Sequence, residues 1–169
     1  MSDQNSLIEA SLPEPPAPIH DDYGVSDGEW LRIDWAEHLR EVTIESELGT
    51  TPISYVEMGE GPPVLFVHGL GGSWRNWLEN IPFFARSHRV VALDLPGFGL
   101  SPAPSEPITM RAYGDLVIRF AAAVGLSDDT ALVGHSMGGF IATESVINSP
   151  GHFRNLTLVS AAGGTFAPM

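Results

Sequence analysis

Gly134-His135-Ser136-Met137-Gly138 places a hydroxyl between two glycines, each two residues away. A serine hydroxyl is a weak nucleophile until a base takes its proton. Once activated, it can accept an acyl group from an ester, amide or thioester. The spacing fits G-x-S-x-G, in which a strand turns sharply into a helix with serine at the corner. That corner residue is forced into a strained backbone conformation, and the glycines remove side chains that would collide there. The serine then sits at a helix N-terminus, where the dipole and free N–H groups favour negative charge. The competing reading is a serine in a tight glycine turn with no chemistry.

Acyl transfer also needs donors for the oxygen that gains negative charge. The N–H of the residue after the nucleophile, Met137, is one candidate. The other comes from a glycine-rich loop, His68-Gly69-Leu70-Gly71-Gly72, with Leu70 as the donor. His68 reads as an imidazole that braces this loop by hydrogen bonds rather than as a general base. Asp94, in Asp94-Leu95-Pro96-Gly97-Phe98-Gly99, reads as the anchor of its own turn rather than as a catalytic acid. Gly139 lets the helix after Ser136 lie close to the sheet.

The elements that must position these residues follow from hydrophobic period. Glu41 to Gly49 and Thr51 to Gly59 alternate and read as two half-exposed strands of a hairpin. Pro63 to Gly69, Arg89 to Gly97, Thr130 to Ser136 and Leu156 to Ala161 are apolar runs that read as strands buried on both faces. Ser73 to Asn80 reads as a helix capped by Ser73 and ended by Pro82. Thr109 to Val124 sets Tyr113, Leu116, Val117, Phe120 and Val124 on one helical face, closed by Gly125. Met137 to Asn148 reads as the helix that carries the serine. Trp74, Trp77 and Phe140 read as core residues more readily than as pocket lining. A hairpin followed by strand–helix alternation predicts an α/β fold, a mostly parallel sheet of about six strands with helices on both faces.

Three regions are expected. Residues 1–24 are acidic and proline-rich and read as a mobile tail. Residues 25–40 read as a short strap or helix, with apolar residues at helical spacing from Trp30 to Leu39. Residues 41–169 form the main domain. The net charge is −13, and residues 1–60 hold fourteen acids against two arginines. Lysine is absent. Such a chain repels nucleic acid and anionic lipid at long range. With no cysteine and no HExxH-type pair, neither a metal nor another cofactor is expected. The N-terminus lacks a signal-peptide pattern and no run is long enough to span a membrane, so a cytoplasmic protein is expected.

HGLGG, DLPGFGLS and GHSMGG, in that order, resemble the α/β-hydrolase superfamily, its serine esterase and lipase members in particular, over residues 41–169. The resemblance implies strand order 1-2-4-3-5-6-7-8 with Ser136 after strand 5. It implies hydrolysis of an ester-type or related acyl or carbon–carbon bond in a small-molecule substrate, through an acyl-serine. The family's triad runs Ser, then Asp or Glu, then His. No acid follows Glu144. His152 comes at the far end of a helix that a 12-residue span makes about 18 Å long. The triad acid and histidine are therefore expected outside this chain, in a second half that would also hold the last strands and the lid. The chain alone is expected to be inactive and to self-associate through an exposed strand edge. The alternatives are a short relative that binds a ligand or partner without catalysis, and an inactive fragment.

Overall fold

The computed structural model describes residues 28–163. The tail read over residues 1–24 lies outside them. Strands β1 (Leu39–Ser46), β2 (Gly49–Met58), β3 (Pro63–Val67), β4 (Arg89–Leu93), β5 (Ala131–His135) and β6 (Asn155–Val159) form one sheet in the order β1-β2-β4-β3-β5-β6. The β1–β2 and β2–β4 pairs are antiparallel, and the other three pairs are parallel. Helices are α1 (Asn80–Ala85), α2 (Met110–Ala123) and α3 (Met137–Asn148).

Alternation along the central strands splits the core into two layers. Leu65 and Val67 of β3, with Val91 and Leu93 of β4, face a cluster completed by Tyr113, Leu116 and Phe120 of α2 and Ile141 of α3. Val64, Phe66, Val90 and Ala92 point the other way, onto Trp74, Trp77 and Ile81. A period of two on strands that are covered on both sides gives this division directly. Thr109 caps α2 by accepting the Ala112 N–H at 3.0 Å, and Gly125 leaves that helix at φ 71°. The helices α2 and α3 cross where Gly114 meets Glu144 and Ser145, and Ser145 Oγ donates to the Gly114 carbonyl at 3.1 Å.

Three local expectations change. Trp30 to Leu39 is not one helix. It forms two 3-10 turns, Glu29–Arg32 and Trp35–Glu37, and Leu39 already begins β1. Ile33 is extended, and Asp34 accepts the Ala36 N–H at 3.1 Å, so the side chain restarts the turn and breaks the helix. The segment still docks, with Trp35 and Trp74 centred 5.1 Å apart. Similarly, Ser73 caps only a 3-10 turn, Trp74–Trp77, and Pro82 lies in the first turn of α1 instead of ending a helix. The N–H that proline lacks has no intrahelical acceptor in a first turn. β6 is not buried on both faces. Leu158 and Val159 are 49% and 40% exposed, because among the described residues β6 pairs with β5 alone.

Arg89 links the sheet to the end of α2. Its Nε donates to Glu57 at 2.6 Å, and its other nitrogens donate to the Val124 and Gly125 carbonyls at 2.7 and 3.2 Å. Those carbonyls belong to the helix end that lacks intrahelical donors and carries negative dipole charge. Arg89→Ala is expected to lower stability by about 1–2 kcal/mol, since it removes one ion pair and two charge-assisted bonds at a partly exposed site. Urea unfolding of both proteins checks this, and equal midpoints would remove Arg89 from the stabilising set.

Candidate active site

β5 ends at His135 and α3 begins at Met137, so Ser136 is the whole of the turn between them. Its backbone lies at φ 51° and ψ −120°, a conformation that a residue with a side chain rarely adopts. Holding it there costs about 1–3 kcal/mol. The surrounding backbone over-determines it. The Ser136 N–H donates to the Val159 carbonyl at 3.0 Å. The Ser136 carbonyl accepts N–H groups of Gly139, Phe140 and Ala162 at 3.0, 3.3 and 2.9 Å. The elbow is thus stapled to α3 and to the chain leaving β6.

The glycines serve different neighbours. A side chain on Gly134 would press on the backbone of Gly138 and Gly139. One on Gly138 would strike the carbonyls of Val67 and His68, at the end of β3. One on Gly139 would meet Ala161. The elbow therefore packs against β3 as well as against itself. On the facing loop, a Cβ on Gly69 would lie 3.0 Å from Ser136 Cβ and 3.2 Å from His135 Nδ1. That contact brings Leu70 and its neighbours beside the serine.

The donors are free. Among the described residues, the N–H groups of Leu70, Met137 and Gly138 have no hydrogen-bond acceptor. Leu70 is 75% exposed, on a turn that the Gly72 N–H closes onto the Gly69 carbonyl at 3.1 Å. Ser136 and Met137 are half-buried. The arrangement offers a hydroxyl, a helix N-terminus and a second backbone donor on one edge of the sheet, where the parallel strands end.

His68 is fully buried. It hydrogen bonds to the Gly69 carbonyl through Nδ1 at 2.7 Å and accepts the Leu95 N–H on Nε2 at 3.0 Å. Asp94 is equally buried. Its Oδ2 accepts the Leu100 N–H of its own turn at 2.8 Å, while Oδ1 accepts the Trp74 N–H at 2.6 Å. That second bond joins the loops after β3 and β4, a partnership across twenty positions with no local sequence signal. The stapling of Ser136 by Val159 and Ala162 was also illegible, although the small residues Ser160, Ala161 and Ala162 leave room for it. Trp74 and Trp77 are buried in the second core layer, and the Trp77 ring meets His135 edge-on at 6.4 Å.

No imidazole or carboxylate among the described residues is hydrogen-bonded to Ser136. His68 is engaged at both nitrogens, and His152 meets the Phe153 ring edge-to-face beyond the far end of α3. No described group of three His, Cys, Asp or Glu side chains is placed to hold a metal ion. No described helix is long and apolar enough to cross a membrane.

Burial pushes the His68 imidazole below its ordinary value, against smaller opposing pulls from the Gly69 carbonyl and the Asp94 carboxylate. The unfolded chain titrates this group near 6.5. Above that pH neither state holds the proton, and the contribution to stability is complete. As pH falls below about 6.5 toward the lowered native value, the unfolded state takes up the proton first and stability drops. Urea unfolding should therefore give a smaller free energy at about pH 5.5 than at about pH 7.5. The difference should shrink in His68→Gln. An undiminished difference in that variant would assign the acid sensitivity to other groups.

A family model described as alpha/beta hydrolase fold matches residues 62–169. Over 112 residues the chain is 38% identical to the dihydrolipoyllysine-residue acetyltransferase component of the acetoin cleaving system of Cupriavidus necator, covering 66% of this chain and 30% of that protein. It is 35% identical over 114 residues to the 2-hydroxymuconate semialdehyde hydrolase of a Pseudomonas species, covering 65% of this chain and 40% of that enzyme. Among solved structures, a thermophilic esterase from Thermogutta terrifontis superposes with a TM-score of 0.70 at 27% identity, covering 76% of this chain and 48% of the esterase. The chain thus spans less than half the length of each of these proteins.

Proposed function

The chain belongs to the alpha/beta hydrolase fold family, and on that premise we propose that it carries the nucleophile half of a serine hydrolase. In this reading Ser136 Oγ attacks the carbonyl carbon of an ester or related acyl substrate while a general base takes its proton. The carbonyl oxygen becomes an oxyanion between the Leu70 and Met137 N–H groups. Collapse of that intermediate expels the alcohol, which takes up the proton, and leaves an acyl-serine that water cleaves. The base and the acid that orients it lie outside the described residues.

The observation that carries the reading is the strained backbone of Ser136 at the start of α3, beside a loop whose donors are unused. Strain of about 1–3 kcal/mol at a serine is a cost that a mere turn could avoid by using glycine. The likeness to a named hydrolase and to an esterase supports hydrolysis over ligand binding alone.

The test joins residues 1–169 to the C-terminal half of the Thermogutta esterase. An organophosphonate probe should label Ser136 of the joined protein, which should turn over short p-nitrophenyl esters. The 169-residue chain alone should show little turnover, because triad members act as a unit. Efficient turnover by the chain alone, lost on Ser136→Ala, would place a base within it and overturn that part of the reading. Labelling of the joined protein at a residue other than Ser136 would overturn the nucleophile assignment.

A further inference from the structure

Among the described residues, only two that carry a side chain have positive φ, Ser136 at 51° and Ser160 at 45°. They are neighbours. His135 and Val159 are the last paired residues of β5 and β6, and each serine comes one position later. The Ser136 N–H donates to the Val159 carbonyl at 3.0 Å, and the Ser136 carbonyl accepts the Ala162 N–H at 2.9 Å. Continued in register, the parallel ladder would bring the Ala161 N–H to that carbonyl. The donor is Ala162, one residue later. The left-handed turn at Ser160 takes up the extra residue, as in a β-bulge.

The turn seats the chain on the first turn of α3 at three points. Ala161 fills the space that Gly139 leaves, Ala162 bonds to Ser136, and Gly163 lies against the Phe140 ring. The bond to Ser136 bears on the chemistry. The Ser136 carbonyl and the Met137 N–H belong to one peptide unit, which is trans. In such a unit the C=O and the N–H point in opposite directions, so holding one aims the other. The carbonyl also accepts the Gly139 and Phe140 N–H groups, but those bonds lie within α3 and travel with it. The Ala162 bond alone comes from outside the helix, and it fixes the unit against the sheet.

We propose that Ser160 is a positioning residue whose left-handed backbone brings the Ala162 N–H onto the Ser136 carbonyl and so aims the Met137 N–H at the oxygen that becomes charged during attack by Ser136. The proposal rests on the serine-hydrolase reading. It gives Ser160 a role in the rate through backbone shape, and none to its hydroxyl. Residues that accept the turn should therefore serve, and residues that refuse it should not.

Three substitutions in the joined enzyme separate these properties. Ser160→Gly adopts positive φ without steric cost. Ser160→Ala keeps the Cβ and removes the hydroxyl. Ser160→Val is β-branched and resists the turn. Active sites are counted with the phosphonate probe, so that lost folded protein does not pass for lost kcat. Ser160→Val is expected to lower kcat per active site by about 10- to 100-fold with KM changed by less than about twofold. Ser160→Gly and Ser160→Ala should stay within about threefold of the parent. A valine variant as fast as the parent, a glycine or alanine variant as slow as the valine one, or an effect confined to KM would overturn the proposal. The Ser136→Ala control keeps the two readings apart, because turnover that survives it sinks the hydrolase reading whatever Ser160 does. If Ser160→Val does not fold or the joined enzyme is inactive, NMR of the unmodified 169-residue chain decides. A coupling across the hydrogen bond between the Ala162 nitrogen and the Ser136 carbonyl carbon, with Ser160 at positive φ, supports the proposal. Absence of that coupling, or a negative φ at Ser160, refutes it.

Discussion

Ser136→Ala in the joined hydrolase is expected to lower kcat by about 10⁴-fold or more and to abolish phosphonate labelling. The size follows from what the hydroxyl does. It is the atom that forms the covalent bond, and removing it forces water to attack directly. The backbone donors would still polarise a bound carbonyl, so activity above the uncatalysed rate should persist, as it does when other members of such a unit are lost. Stability should move the opposite way or hardly at all. Alanine keeps the Cβ and therefore the positive-φ strain at φ 51°, and Ser136 Oγ caps no helix N–H. A variant with full stability and kcat lowered by about 10⁴-fold or more is the expected outcome. Turnover within about tenfold of the parent would end the nucleophile assignment.

Much of this arrangement is legible in the sequence. The alternation in β3 and β4 and the helical spacing of Tyr113, Leu116, Val117 and Phe120 depend on near neighbours, and local pattern reports them well. The elbow was legible because its glycines fall at fixed offsets from Ser136. What local pattern does not report acts over distance or at short range below one helical turn. Trp30 to Leu39 has apolar spacing that fits an α-helix and two 3-10 turns equally, and the extended Ile33 decides between them. The reach of Asp94 to Trp74 needs two loops to be folded side by side, and nothing local to either loop announces it. The same holds for Gly138. The spacing motif pairs it with Gly134, but the atoms that forbid its side chain belong to β3, seventy positions earlier in the chain.

That distant constraint sets a large expected stability effect. Gly138→Ala should cost about 3–5 kcal/mol, because the added methyl would overlap the backbone carbonyls of Val67 and His68. Neither carbonyl can yield cheaply. Val67 lies in β3, paired on both sides with β4 and β5, and His68 is buried and bonded at both ring nitrogens. The strain must go into moving α3 away from the sheet, which pulls on Ser136 through its bonds to Gly139 and Phe140. Gly71→Ala supplies the contrast. Gly71 also sits in the glycine-rich loop and has φ 70°, but a Cβ there meets nothing within 4 Å. Only the left-handed backbone penalty applies, roughly 1–2 kcal/mol. Urea unfolding of the two variants should therefore rank Gly138→Ala well below Gly71→Ala, and phosphonate labelling of the joined enzyme should fall further in Gly138→Ala. Equal midpoints for the two would mean that α3 can slide off β3 at little cost, and the elbow would then owe its shape to local turn geometry and not to the strand behind it.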